Sequence, residues 1–217
     1  MYLPPLFREE RIEVLHGLIR AHPLGLLVTD GPGGLLANPI PFVLDDRAGV
    51  FGTLRGHLAR ANPQWREHDR EKDVLVVFQG GERYITPSWY ETKRETGKVV
   101  PTWNYAIVQA RGRLRIVDDR AWLARQIVAL TEAQEATRDR PWAVADAPPP
   151  FIEGQLKGIV GIEIEVARLD GKWKVSQNRP EADRVGVRAG LEAEGDEASL
   201  AMAEMVASGG AIEPGDV

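Results

Sequence analysis

The chain has 217 residues, of which 43% are hydrophobic and 27% charged, and its formal net charge is −5. This composition is typical of a globular domain with a sizeable core, and the absence of cysteine excludes disulfides, zinc knuckles, iron–sulfur clusters and thiol catalysis. The negative charge argues against broad electrostatic binding to nucleic acid. No apolar run approaches the ~20 residues of a membrane span. The N-terminus lacks a secretion-signal pattern, so we expect a cytoplasmic protein that does not insert into a membrane.

The first half of the chain combines short apolar strands with two helical patterns. Pro39 and Pro41 cannot donate ladder hydrogen bonds, so the strand that contains them is expected at an edge, at a bulge, or broken where another group docks. Asn62-Pro63 should interrupt the second helix. The predicted elements are a helix over 8–22, strands over 24–29, 35–44 and 49–53, a helix over 57–70 and a strand over 73–78.

The second half begins with an irregular segment over 79–101 and then returns to strands. Further on, Asp170-Gly171 has the composition of a hairpin turn. The predicted elements are a strand over 106–117, a helix over 120–138, a strand over 156–167, a returning strand over 172–176 and a helical pattern over 198–206. Many short strands and few helices favour an α+β protein built around an antiparallel barrel, since the chain shows no βαβ alternation, no GxGxxG and no P-loop.

A possible anion site follows the strand signal at 49–51. Thr53 and Arg55 leave the strand on the same side at period two, between Gly52 and Gly56. In the predicted helix over 57–70, His57 and Arg60 lie about one turn apart. A hydroxyl, a guanidinium, an imidazole and free backbone N–H groups would converge there, which suits a phosphate.

Other chemistries have weaker support in the sequence. Ser88 stands in Pro-Ser-Trp-Tyr and not in a nucleophile elbow, so a hydrolase is not indicated. His16 and His22 are separated by a helix end, and His57 and His68 by eleven residues, so neither pair forms a two-ligand face. We therefore expect no metal site.

Aromatic and amide side chains cluster in or beside the predicted loops. Amides and hydroxyls of this kind can recognise the pyrimidine edge of a flavin while aromatic rings enclose its apolar body. Together with the phosphate cluster, they indicate a phosphorylated ring cofactor. The aromatic members are Trp89, Tyr90, Trp103, Tyr105 and Trp173, and the polar members are Ser88, Thr102, Asn104, Lys174, Gln177 and Asn178.

Ordered motifs along the chain resemble those of the PaiB family, described as FMN-binding negative transcriptional regulators associated with protease production and sporulation. The resemblance covers residues 1–191, which we expect to form one FMN-binding split-barrel domain, and leaves 192–217 as a helical or partly disordered tail. The motifs are Met1-Tyr-x-Pro, Ala37-Asn-Pro-Ile-Pro-Phe42, Gly56-His-Leu-Ala-Arg-Ala-Asn-Pro63, Tyr84-Ile-Thr-Pro-Ser-Trp-Tyr90, Val100-Pro-Thr-Trp-Asn-Tyr105 and Lys172-Trp-Lys-Val-Ser-Gln-Asn-Arg-Pro180.

The family in turn resembles split-barrel flavoproteins typified by pyridoxamine 5′-phosphate oxidase, in which a strand-end Ser-Arg-Lys group precedes Asn-Pro by seven residues. Counting back from Asn62-Pro63 aligns Thr53, Leu54 and Arg55 with that group, so the middle cation is absent and His57 or Arg60 would compensate. The oxidase's C-terminal substrate signature is not recognisable, so activity on a vitamin B6 substrate is not implied.

The resemblance also implies non-covalent FMN at the interface of a homodimer. On this basis, the phosphate contacts are Thr53, Arg55 and His57, with Arg60 as a further candidate. Asn38 and Ile40 would flank the isoalloxazine. Further contacts, from the second subunit, would be Trp103, Asn104, Lys174 and Gln177.

Two other functions remain open at the level of sequence: a flavin-dependent reductase or oxidase, and a haem-binding split barrel with His57 or another histidine as axial ligand. The chain shows no helix-turn-helix recognition helix, and its negative charge offers DNA no obvious surface. Direct DNA binding is therefore not expected, and the small-molecule substrate is not identified.

Overall fold

The computed structural model describes residues 1–209. Within them the chain forms an α+β fold around one eight-stranded sheet. The strands are β1 (Arg8–Glu9), β2 (Leu24–Gly31), β3 (Gly34–Pro41), β4 (Val43–Asp45), β5 (Thr53–Ala59), β6 (Val74–Ile85), β7 (Thr102–Val117) and β8 (Ile159–Lys174). The helices are α1 (Ile12–Ala21), α2 (Gln64–Glu67), α3 (Glu91–Thr96), α4 (Arg120–Glu135), α5 (Pro149–Lys157), α6 (Glu181–Glu194) and α7 (Glu197–Ala207).

The strand order is β3-β2-β6-β7-β8-β5-β4, with β1 paired to β8, and the sheet does not close. The end strands β3 and β4 are separated in the chain by Phe42 alone. Pro39 and Pro41 therefore lie on an edge strand, where their missing N–H groups cost no ladder hydrogen bond. The expected antiparallel split barrel is confirmed.

The chain divides into two compact units. The first unit comprises Met1–Ala21, Gln79–Val108 and the chain from Asp170 onward, and the second comprises His22–Phe78 and Gln109–Leu169. Strands β6, β7 and β8 contribute residues to both units.

In the second unit, alternation along β5 separates an apolar face from a polar one. Leu54, Gly56 and Leu58 are buried and alternate with Thr53, Arg55 and His57. Strand β5 pairs along its whole length with the first part of β8. Gly112 of β7 lies so close to β8 that a Cβ there would be 1.9 Å from the carbonyl oxygen of Glu165.

In the first unit, helices α1, α6 and α7 bury apolar side chains at helical spacing. Trp89 packs on α6, where a Cβ on Gly190 would lie 2.3 Å from its indole ring. The buried apolar side chains of the three helices are Val14, Leu15, Leu18, Ile19, Val187, Leu191, Met202, Met205 and Val206. Residues 210–217, which belong to the predicted tail, lie outside the described residues.

Several local predictions were wrong. The strand expected over 49–53 begins only at Thr53, since Gly49 and Gly52 adopt positive φ in a turn, and β6 continues to Ile85 into the segment expected to be irregular. The helix expected over 57–70 is reduced to α2, and His57 lies in β5, because backbone pairing with β8 overrides the helix-favouring residues after Gly56. The expected hairpin turn at Asp170-Gly171 is continuous strand, in which Gly171 pairs with Glu9. A Cβ on Gly171 would lie 2.1 Å from Leu15 Cδ2, so this glycine allows close packing and does not mark a turn.

Within residues 1–209, none of the helices combines the length and the apolar character needed to span a bilayer.

Candidate functional site

The polar face of β5 forms one wall of the candidate site in the second unit. Arg55 Nε donates to Glu163 Oε1 at 3.1 Å, and its guanidinium also pairs with Asp45 at 2.9 Å. Glu163 is only 8% exposed and additionally pairs with Arg115 and accepts from Trp122 Nε1 at 3.0 Å. Arg55 is therefore held in a network of charged and polar groups and is not a free cation.

Helix α4 forms the facing wall through Gln126. His57 Nδ1 and Gln126 Oε1 are 2.8 Å apart and share a hydrogen bond. Gln126 is 4% exposed, and its Nε2 has no hydrogen-bond partner among the described residues. A buried amide donor without a partner costs about 1–3 kcal/mol, so a ligand oxygen that accepted from it would stabilise this arrangement.

A pocket of about 320 Å³ lies between these walls. Its lining contains three arginines and one glutamate, which leaves two positive charges in excess, although Asp45 outside the lining compensates part of Arg55. Arg125 has neither an ion-pair nor a hydrogen-bond partner within residues 1–209. The full lining is Val43, Arg55, Arg115, Trp122, Arg125, Gln126, Ala129 and Glu163. The pocket therefore suits a compact anion.

The other members of the predicted phosphate cluster make internal contacts. Thr53 Oγ1 donates to the Ala48 carbonyl at 2.9 Å. Arg60 donates from both terminal nitrogens to Asp118, at 2.9 and 2.6 Å, and the hydrogen bond from Arg60 holds the pKa of Asp118 below its ordinary value. The structure thus places Arg55 in the lining of the pocket and His57 in contact with the lining residue Gln126, while Thr53 and Arg60 are not part of the lining.

Asn38 and Ile40 lie two residues apart on β3; the first makes a side-chain hydrogen bond and the second packs in the core. Asn38 Nδ2 donates to Gln64 Oε1 at 2.9 Å, and Gln64 is itself buried and donates to the carbonyls of Leu27 and Leu36. Ile40 is 7% exposed and packs where Gly56 leaves room, 3.3 Å from the position a Cβ would take. Both side chains therefore contribute to packing within the second unit.

The remaining predicted residues all belong to the first unit. Asn104 is fully buried and bonds Ser176 Oγ at 3.0 Å, while Gln177 accepts from Val175 N–H and donates to the Trp173 carbonyl. The hydrogen-bonding groups of these two amides are therefore used locally. The other two residues are Trp103, which is 51% exposed, and Lys174, which is half-buried.

Sequence reasoning missed the residues that α4 and β7 contribute to the pocket. The available signal was weak: Trp122, Gln126 and Ala129 recur at helical spacing, and one face of such a helix normally packs on a neighbour. Nothing in the sequence indicated that this neighbour is β5.

The fold is an open split barrel with a pocket suited to an anion, and sequence comparison assigns the family. Residues 1–168 match the family described as "Putative FMN-binding domain", so the chain belongs to that family. FMN as the cofactor, predicted from the sequence, is confirmed at the level of the family.

Two relatives are similar over nearly the whole chain. A protein of Bacillus subtilis (strain 168) named "Protease synthase and sporulation protein PAI 2" is 34% identical over 206 residues, which cover 95% of this chain and 96% of the relative. An uncharacterized protein of Emericella nidulans is 39% identical over 248 residues, which cover 98% of this chain and 99% of the relative. The predicted resemblance to PaiB is confirmed.

Among solved structures, the flavocytochrome Anf3 from Azotobacter vinelandii aligns with a TM-score of 0.56 at 14% identity, covering 77% of this chain and 69% of that one. At this identity the alignment shows a shared fold.

Proposed function

We propose that this protein is a cytoplasmic homodimer that binds FMN non-covalently, with the FMN phosphate in the pocket between β5 and α4. Its role would be regulatory. This part of the proposal is based on the Bacillus subtilis relative, whose name associates that protein with protease synthesis and sporulation. With a net charge of −5, the chain would regulate without binding DNA itself, for example together with a partner.

The observation that carries the phosphate assignment is the unbalanced donor set of the pocket. Phosphate monoesters carry about −1.5 to −2 charges near pH 7, which is close to the excess positive charge of the lining. Arg125 and Gln126 Nε2 supply donors without partners, and His57 fixes the Gln126 amide through its carbonyl oxygen. The residues present therefore fit the group.

Each residue of the wall would have a distinct task. Arg125 would bind the phosphate directly, and Glu163 would hold Arg55 and Arg115 in place so that their remaining N–H groups face the pocket. Thr53 stabilises the chain at the start of β5 through Ala48. When bound, FMN supplies one- and two-electron redox chemistry.

The phosphate pocket predicts that FMN binds at least about 100-fold more tightly than riboflavin, which lacks the phosphate. Hydrogen bonds to charged groups contribute roughly 1.5–3 kcal/mol each, and 1.4 kcal/mol corresponds to a factor of ten. Both affinities are measured by titration of flavin fluorescence, and the cofactor that heat releases from the purified protein is identified by chromatography. Similar affinities for the two flavins, or release of FAD, would contradict the assignment.

The homodimer is supported by an apolar face on one side of the sheet in the second unit. Directly paired residues of antiparallel strands share a face, so Leu26, Pro39 and Val77 lie together. Leu35 is 77% exposed, Leu24 63% and Leu26 40%. The members of this apolar face are Leu24, Leu26, Val28, Leu35, Ala37, Pro39, Leu75 and Val77. Monomeric proteins rarely leave such a continuous apolar surface in water.

We expect Leu26→Lys to convert the dimer into a monomer, because it places a charge in the middle of this apolar face. Sedimentation velocity over a dilution series measures the change. Leu200→Lys in α7, at a position 42% exposed, is the matched control and should leave the dimer intact. A Leu26→Lys protein that dimerises as tightly as the unmodified chain would show that the subunits meet elsewhere.

A further inference from the structure

Within residues 1–209, a group of cations in the first unit has no acidic partner. Lys172 and Lys174 are two residues apart on β8 and therefore lie on the same face of the strand. Lys172 is only 8% exposed, and its Nζ lies 5.3 Å from the ring centre of Tyr105 and 5.6 Å from that of Tyr2. Lysine is rarely buried to this extent without a carboxylate, so aromatic faces provide its stabilisation here.

Lys174 and Arg179 complete the group, which we call the basic cluster (Lys172, Lys174 and Arg179). Lys174 Nζ donates to Thr102 Oγ1 at 2.6 Å and to the Trp103 carbonyl at 2.5 Å. The guanidinium of Arg179 lies 4.4 Å from the ring centre of Tyr90. Burial, and after it the positive charges of Lys172 and Arg179, lowers the pKa of Lys174.

This pattern differs from that of several other cations in the protein. Arg55, Arg60 and Arg83 each pair with a carboxylate, whereas within residues 1–209 no member of the basic cluster forms an ion pair. Gathering like charges without counter-charges destabilises the free protein. Such an arrangement is typical of a site that binds an anion.

Aromatic side chains surround the basic cluster. All four tyrosines of the chain belong to the first unit, and three of them supply ring faces to Lys172 and Arg179. Trp103 and Tyr84 meet edge to face at 5.9 Å and are 51% and 48% exposed. Tyr90 is 2% exposed, and its hydroxyl has no hydrogen-bond partner among the described residues. A ligand with a planar ring would find both stacking surfaces and a buried donor.

We propose that the basic cluster binds a small aromatic carboxylate, a molecule separate from the flavin, with its carboxylate beside Lys174 and Arg179 and its ring against Trp103 and Tyr84. This assignment goes beyond the proposed FMN site, which is built from residues of the second unit. The protein would then hold two anions: the cofactor phosphate and an effector or substrate.

The test is calorimetric titration of the FMN-loaded protein with benzoate and with benzamide, which has nearly the same shape but no charge. We expect one benzoate per chain, and benzamide binding at least about tenfold more weakly, because the charge-assisted bonds are lost. Equal affinity for the two compounds, or no detectable benzoate binding, would overturn the proposal.

Variants distinguish this site from the flavin site. Lys174→Gln and Arg179→Gln should each weaken benzoate binding by at least about tenfold, and Arg179→Gln should leave FMN affinity within about twofold. Lys98→Gln, at an exposed position of the same unit, is the matched control and should change neither. Loss of FMN affinity in Lys174→Gln together with unchanged benzoate binding would make this lysine a flavin contact and refute the proposal. Failure of FMN binding in the unmodified protein would instead refute the proposed function.

Discussion

Replacing Arg125 with glutamate should lower the affinity for FMN by about 100-fold or more without unfolding the protein. Arg125 is exposed on α4, lines the pocket and has no partner within residues 1–209, so the free protein loses no contact. The bound state loses a charge-assisted hydrogen bond of roughly 1.5–3 kcal/mol and gains repulsion between two anions. Fluorescence titration measures the affinity, and circular dichroism checks the fold.

Arg140→Glu provides the control for this experiment, since Arg140 is also exposed in the second unit but does not line the pocket. It makes the same change in net charge and should leave FMN affinity within about twofold, because separated surface charges are screened by salt. Arg125→Lys should retain part of the affinity. If Arg125→Glu binds FMN as well as Arg140→Glu does, the phosphate is bound elsewhere.

The largest loss of stability is expected from Gly112→Ala. The added Cβ would lie 1.9 Å from the carbonyl oxygen of Glu165 and 3.2 Å from Ile164 Cγ2, and backbone cannot yield as a flexible side chain can. Strands β7 and β8 must separate locally to admit the methyl group. We expect the free energy of unfolding to fall by about 3 kcal/mol, measured by urea denaturation at fixed protein concentration.

Gly154→Ala is the control, because it adds the same methyl group at a position where the structure has room for it. Gly154 lies in α5, and nothing would approach its Cβ within 4 Å. Alanine is the better helix former, so this variant should be more stable by up to about 1 kcal/mol. Equal denaturation midpoints for the two variants would mean that β7 and β8 are less tightly packed at Gly112 than the structure indicates.

The sequence was sufficient for those elements whose burial alternates along the strand. In β7 and in the first part of β8, apolar core-facing side chains follow at every second position, and this pattern is visible without knowing the partner strand. The segment after Gly56 was misread because His57, Leu58 and Ala59 suit a helix locally, and their pairing with Ile159–Gly161 is a contact over about a hundred residues.

The candidate site was only partly predictable, because several of its contacts join residues that are far apart in the chain. Arg55 was selected from its strand spacing to Thr53, and His57 from a helical spacing to Arg60 that the structure does not contain. The carboxylate of Glu163, which accepts from Arg55, lies 108 residues further along the chain. Arg125 and Gln126 are ordinary surface residues in sequence, and only the packing of α4 against β5 brings them to the pocket. Local patterns therefore gave the first wall of the site, and tertiary packing gave the second.

The division of the chain has a genetic consequence. The first unit is encoded by three separate stretches of the gene, and the second by two that alternate with them. The family match ends at residue 168, inside β8, so a gene fragment cut at that boundary would lack Lys172, Trp173 and Lys174. Neither unit can therefore be transferred to another protein as a single cassette, and recombination that exchanges domains intact must move almost the whole reading frame.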